Sequence, residues 1–244
     1  MKKINTLFAF ALAFLVVLTS SCFDSGNNGD TYDGAEYVRV GGSYPSYDVV
    51  GDSGTKYTIA NPEKMRITTS EGDYEYERAQ LWFKYEEAKA PKSNSGLPVI
   101  RQVKVISVNP LPVQNFNYLP DTLKVEEINY VPFIQVAQPW GDQYFINTSF
   151  VAPYSDKLTT KYFTLFVEDS SENTLNLRLL DTRKDKDLQM GQPTSGFISF
   201  KLDKSFLRAT YNLNLSDSIT VNISAEERGN GMKKFTPFKI KFDN

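Results

Sequence analysis

The chain has 244 residues with no histidine, a single cysteine, and 27 Lys plus Arg against 29 Asp plus Glu, a formal net charge of −2. The missing histidine excludes Ser-His-Asp and Cys-His catalysis and imidazole metal sites, and one cysteine excludes intrachain disulfides, cysteine zinc sites and CxxC redox chemistry. A near-neutral chain also lacks the positive field that gathers nucleic acid, so no nucleic-acid partner is expected.

Residues 1–21 read as a lipoprotein signal peptide. Lys2 and Lys3 precede twelve unbroken apolar residues, Leu7 to Leu18, a run shorter than the ~20 a spanning helix needs. Thr19-Ser20-Ser21 then leads to the lone cysteine, Cys22. This resembles a bacterial lipobox, with Thr19 where the motif carries an apolar residue and Leu18 one step further back. The resemblance implies that Cys22 is lipidated and becomes the first mature residue. At about 0.8 kcal/mol per buried CH2, one acyl chain holds weakly, whereas two or three hold for practical purposes permanently. Losing Lys2 and Lys3 leaves 25 basic against 29 acidic side chains, and no later apolar run approaches spanning length. The expectation is a mildly acidic body tethered to the cell envelope. Phe23, in place of the Asp that retains some lipoproteins at the inner membrane, points by analogy to the outer membrane, on its periplasmic or its surface face. Residues 22–36 are rich in Gly, Asn and Asp and read as a flexible tether.

From Tyr37 onward the repeat is of period two, the mark of strands, and the expected fold class is all-β. Residues 37–118 are expected to form a small barrel of OB type from five strands: Tyr37 to Val40, Lys56 to Ala60, Met65 to Thr69, Arg78 to Tyr85 and Val99 to Val108. Ala90 to Leu97 would be an exposed loop. Pro110, Pro112 and Pro120 mark a seam, because proline disfavours a central strand. Residues 119–244 are expected to form an antiparallel β-sandwich of about seven strands. There Leu175, Leu177 and Leu179, then Ile198, Phe200 and Leu202, then Ile219, Val221 and Ile223, and finally Phe238, Ile240 and Phe242, alternate with polar or outward residues. Each such strand should have one dry and one wet face. Lys204 to Arg208 allows a single helical turn.

The pattern and order of these pieces resemble a named family. They are the lipobox cysteine, the short N-terminal part, Asp121-Thr122 leading to Pro132-Phe133, Trp140-Gly141-Asp142 before Tyr144 to Phe150, the strand Leu175 to Leu180 running into Asp181-Thr182-Arg183, and Gly196 to Asp203. The chain is similar to the NigD-like lipoproteins of Bacteroides and relatives over residues 37 to 242. The resemblance implies an N-terminal OB domain, a β-sandwich, and a link to bacteriocin immunity drawn from the family's name. It implies no catalytic residues.

Carboxylates are the only acid-base groups in quantity. Glycoside hydrolysis would need two of them facing each other about 5 to 10 Å apart. Glu126 and Glu127 are neighbours on a strand and point to opposite faces, and nothing in the sequence brings a partner to Asp142. The Asp181-to-Asp187 stretch lacks the glycine and ligand spacing of a calcium loop and is interleaved with cations. Gly51 to Lys56 lacks phosphate-loop spacing, and no SxxK motif supplies a Ser-Lys pair. No cofactor and no metal are expected. Trp82, inside Leu-Trp-Phe-Lys-Tyr, reads as core. Trp140, in a loop after Pro139, is the candidate ligand contact, where an exposed ring could stack on a sugar.

The expectation is a non-catalytic envelope lipoprotein, anchored through Cys22, that binds a protein or peptide partner in bacteriocin immunity or envelope maintenance. The alternative is a glycan-binding or glycan-processing accessory lipoprotein. The sequence leaves the oligomeric state open.

Overall fold

The computed structural model describes residues 32–86, 100–116, 128–153, 162–183, 193–211, 213–215 and 218–242. Cys22 and its signal segment, the Ala90 to Leu97 loop, Glu126 with Glu127, and Asp185 with Asp187 lie outside the described residues.

The N-terminal unit is a closed barrel. Its strands are Gly34–Ser43 (β1), Ser46–Gly51 (β2) and Lys56–Ile59 (β3), then, after an excursion, Arg78–Tyr85 (β6) and Ile100–Pro110 (β7). The order around the barrel is β1-β2-β3-β7-β6, with β3 and β7 parallel and the other pairs antiparallel. Val38, Val40, Val49, Tyr57, Leu81, Phe83, Val103 and Val105 point inward at alternate positions and form its core. The excursion holds a 3₁₀ turn, Pro62–Met65, and a hairpin of two very short strands, Thr68–Thr69 (β4) and Gly72–Asp73 (β5). Asn61 pins its start, since its buried amide accepts the Val105 N–H at 2.8 Å and donates to the Val105 carbonyl at 2.9 Å.

Two elements differ from the sequence expectation. Met65 to Thr69 is not a barrel strand, because Pro62 at the first turn position favours a helical turn, and Met65 drops into the core with no exposure. Its place is taken by β2, whose inward positions are Tyr47, Val49 and Gly51. The last has no side chain, so the alternation is faint in sequence.

The rest of the chain builds two facing sheets. The first contains Val113–Asn115 (β8), Gln135–Val136 (β9), Trp140–Gly141 (β10), Phe145–Ala152 (β11) and Thr194–Lys201 (β14), in the order β10-β11-β14-β8 with β9 also on β11. The second contains Phe163–Ser171 (β12), Thr174–Asp181 (β13), Ser218–Glu227 (β15), Gly231–Lys234 (β16) and Phe238–Lys241 (β17), in the order β12-β13-β15-β16 with β17 also on β15. Most pairs are antiparallel, but β13 runs parallel to β15 and β14 parallel to β8. The first parallel pair follows from the crossover through β14 in the opposite sheet, the kind of long connection parallel strands require. Between the sheets lie Phe133, Ile146, Phe150, Phe163, Leu165, Leu175, Leu177, Leu179, Ile198, Phe200, Ile219, Val221 and Ile223. The alternating residues of the sequence thus do face one core. The single expected helical turn is a two-turn helix, Lys204–Tyr211 (α1). Asp203 caps it by accepting the Phe206 N–H at 3.0 Å, and Leu207 is fully buried against the sandwich.

The barrel begins three residues ahead of Tyr37. The chain crosses into the sandwich at Leu111-Pro112, so that β8 already belongs to the second unit. Trp140-Gly141-Asp142 makes a tight return from β10 into β11. A methyl on Gly141 would stand 2.6 Å from the Phe145 carbonyl oxygen, so only glycine fits there.

One buried carboxylate ties three parts of the sandwich together. Glu227 accepts the Val136 N–H at 2.8 Å, Lys233 Nζ at 2.8 Å and the Asn230 amide at 3.3 Å. Burial alone would raise its pKa, but the hydrogen bonds from Lys233, Val136 and Asn230 outweigh burial and hold it below the ordinary 4.5. A carboxyl with a depressed folded pKa stabilises above its unfolded pKa, and that stabilisation is lost as pH falls through the folded value. Denaturant titrations of the native chain and Glu227→Gln should therefore differ most above about pH 4.5 and converge as the pH is lowered. A difference that is independent of pH would remove this role from Glu227.

Candidate functional site

The outward face of β14 is covered at Phe197 and Ser199 and exposed at its ends, Ser195 and Lys201. Ser199 on that face has no exposure, and Phe197 stacks on Tyr37 of the barrel at 4.6 Å between centroids and 17°. Arg78, at the first position of β6, is also fully buried, at the contact between the two units. Its Nη1 and Nη2 donate to the two oxygens of Asp52 at 2.7 and 3.0 Å, forming a forked pair. Nη2 also donates to Asn147 Oδ1 at 3.1 Å, and Nε to Ser199 Oγ at 3.4 Å. The Phe145 ring lies 5.1 Å from the guanidinium carbon. Asp52 follows β2, whereas Phe145 and Asn147 come from β11 and Ser199 from β14. One barrel cation is therefore satisfied only when the sandwich sheet is in place. Burial raises the pKa of Tyr37 at the same contact, and the nearby Asp52 charge raises it further.

Trp140, the sequence-derived ligand candidate, lies in this contact. It is half-buried, its indole N–H donates to Asp52 Oδ2 at 3.1 Å, and its ring packs against Tyr37 and Phe197 at 5.9 and 5.7 Å. Asp142 is occupied by its own turn, accepting the Tyr144 and Phe145 N–H groups on Oδ1 at 2.7 and 2.8 Å. Asp181 is buried in a pair with Arg183, whose Nη2 approaches Oδ2 at 2.5 Å. Trp82 is half-exposed on β6 rather than part of the barrel core. Among the described residues no cluster of acidic or cysteine side chains is placed to hold a metal ion.

Beside the buried contact the two units leave an open cleft of about 920 Å³, within the range of roughly 300–1,000 Å³ typical of ligand sites. One wall is the tip of the β1–β2 hairpin with Tyr44 and Tyr47. Another is the barrel excursion, Arg66 to Glu77, and the floor is the crossing segment at Leu111 and Val113 with Lys201 of β14. Tyr44 and Tyr74 are exposed by 49% and 53%. Tyr76 is held by donating its hydroxyl to the Met65 carbonyl at 2.6 Å, and burial pushes its pKa above the ordinary tyrosine value. Both cations of the cleft are paired. Arg66 Nε and Nη2 reach Asp73 Oδ2 at 3.1 and 2.7 Å, and the Thr68 hydroxyl donates to Asp73 Oδ1 at 3.0 Å. The hydrogen bond from Arg66 lowers the Asp73 pKa, and the same bond raises that of Arg66. Lys201 Nζ bridges both oxygens of Glu77, at 2.8 and 2.7 Å.

None of these cleft residues is singled out by a sequence motif. The nearest signal is Asp73-Tyr74-Glu75-Tyr76-Glu77, an alternation of aromatic and acidic residues. Nothing local says that Lys201, more than a hundred residues away, joins it.

The fold defines an all-β protein made of a closed five-stranded barrel joined to a two-sheet sandwich. Solved structures share it. A proposed toxin-related protein from Parabacteroides distasonis superposes with a TM-score of 0.60 at 14% identity, covering 86% of this chain and 94% of that one. A proposed lipoprotein from Bacteroides fragilis gives 0.57 at 13%, over 86% and 98%. The structural neighbours also include a NigD-like immunity protein from Bacteroides caccae, with a TM-score of 0.47 at 14% identity over 86% and 93%. At these identities the similarity concerns the fold alone. No family model and no curated protein matches the chain.

If Arg78 joins the two units, Arg78→Ala takes the counter-charge from Asp52, which keeps the Trp140 N–H, and leaves Asn147 Oδ1 with the Ser199 hydroxyl. Asp52 keeps some water contact, with 20% of its side chain exposed, so the cost should sit at the low end of a broken buried pair, about 3 kcal/mol in urea unfolding. Arg78→Lys should recover little, because an ammonium cannot make the forked contact. An unchanged unfolding midpoint in both variants would show that the contact is not stabilising.

Proposed function

We propose that the chain is a non-catalytic lipoprotein of the cell envelope, anchored at the outer membrane through lipidated Cys22, that binds a glycan in the cleft between an OB-type barrel and the sandwich. The observation that carries the binding reading is the pair of exposed tyrosines, Tyr44 and Tyr74, standing in a cleft beside two ion pairs, Arg66–Asp73 and Lys201–Glu77. A protein-binding centre is usually an apolar, desolvated patch. Separate flat rings among hydrogen-bonding groups suit a pyranose, which has an apolar C–H face and a polar rim. The barrel order, with the third strand parallel to the fifth, supports the OB assignment. Engagement of Arg66, Asp73, Glu77 and Lys201 in mutual pairs supports a binding rather than a catalytic role.

The anchor rests on the signal segment and its cysteine, and the fold shared with a proposed lipoprotein supports it. Among the described residues no helix is long and apolar enough to cross a membrane. The second reading is a protein or peptide partner in bacteriocin immunity or envelope maintenance, and the toxin-related name of one structural neighbour favours it.

Two experiments test the proposal. Cys22→Ser should move the chain from the membrane to the soluble fraction, and its retention in the membrane would remove the anchor. The full chain should bind on a glycan array and lose that binding in the Tyr44→Ala, Tyr74→Ala double variant. Recovery of one envelope protein in near-equal amount after cross-linking, with an empty array, would replace the glycan by a protein partner.

A further inference from the structure

We infer that the cleft takes an uncharged pyranose chain, with Tyr44 and Tyr74 as two separate stacking platforms; this rests on the glycan reading of the cleft given above. Each of the two rings already has one partner. The guanidinium carbon of Arg66 lies 5.1 Å from the centre of the Tyr44 ring. Tyr76 lies 6.3 Å from Tyr74 with the planes 20° apart. Tyr44 and Tyr74 nevertheless keep about half of their surface, 49% and 53%, open to solvent. A backed ring is held in orientation before a ligand arrives, which lowers the ordering cost of binding. Its free π face carries partial negative charge and attracts the weakly positive C–H face of a sugar.

The charges select against an acidic ligand. Arg66 is committed to Asp73 and Lys201 to Glu77, and these four groups cancel. Glu75, exposed in the same wall, adds a carboxylate that no cation of the cleft balances. Uronate, sialylated or sulfated chains would meet a slightly negative wall whose two cations are already taken. A neutral chain meets carboxylate oxygens with unused lone pairs that can accept its hydroxyl protons. Ser43 and Asn115 supply further exposed polar groups in the cleft.

The test uses the full chain solubilised in a detergent without a sugar headgroup. Titration calorimetry is run against neutral polymers (mannan, mixed-linkage β-glucan, N-acetylglucosamine hexamer) and against acidic ones (polygalacturonate, heparan sulfate). The expected result is binding to at least one neutral polymer, little changed by added salt because no net charge is neutralised. Tyr44→Ala and Tyr74→Ala should each weaken that binding by about tenfold or more, and Tyr→Phe at either position by less than about threefold. Both side chains are exposed, so the melting temperature of each variant should match the native one. Equal or tighter binding of an acidic polymer would leave the glycan reading standing and overturn the neutral-ligand inference. Neutral binding indifferent to both tyrosines would overturn the stacking platforms. No binding to any polymer would overturn this inference and the glycan reading together.

Discussion

A guanidinium with no exposure needs its charge met on every side, and that requirement at Arg78 organises the molecule. Taking such a group out of water costs several kcal/mol before any partner is counted. Asp52 supplies the counter-charge from the barrel, while Asn147 and Ser199 supply oxygens and Phe145 a ring face from the first sandwich sheet. Ser199 also donates to Asn147 Oδ1 at 2.7 Å, which keeps that amide oxygen aimed at the cation. A barrel shifted along β14 would set Phe197 or Lys201, the neighbours of Ser199 on the same face, opposite Arg78. The polar contact therefore selects one docking register. Tyr37, Phe197 and Trp140 surround it with apolar area.

The cleft is a consequence of that register. Its walls come from the barrel hairpin tip and the excursion between β3 and β6, and its floor comes from the crossing segment and the end of β14. Lys201 lies two residues past Ser199 on the same face, so the contact that buries Ser199 also delivers Lys201 to Glu77 across the gap. Within the barrel, the excursion keeps its shape through Asn61 on β7, Tyr76 on Met65, and Arg66 on Asp73. These links hold the segment bearing Tyr74 without covering its ring. Among the described residues Tyr44 and Tyr74 are the most exposed aromatic rings, ahead of Tyr85 and Tyr144.

Trp140 illustrates how a correct local reading meets a different tertiary role. The Pro139-Trp140-Gly141 sequence does place the ring at the edge of a sheet after a loop. The ring is half-buried because the barrel leans on that sheet edge and Asp52 takes the indole N–H. Asp142 was available to chemistry in sequence and is spent on a turn. Tyr44 and Tyr74 lacked any motif that would raise them above the other tyrosines, because exposure of a ring depends on what the rest of the chain fails to cover.

By itself the sequence determined the all-β class, the alternating core of the sandwich, and strand β6 to the residue. Side-chain period and proline placement are local properties that survive without tertiary context. It equally determined the absence of imidazole and dithiol chemistry, since missing residues cannot be restored by folding. Only the tertiary structure decided that Ser46–Gly51 completes the barrel in place of Met65 to Thr69, that the outer face of β14 is dry around Ser199, and that Arg78 and Asp52 meet Asn147 and Ser199. Each of these depends on pairing or docking between segments far apart in the chain. Hydrogen-bond and charge satisfaction in a buried contact is a property of that docking and leaves no periodic trace in sequence.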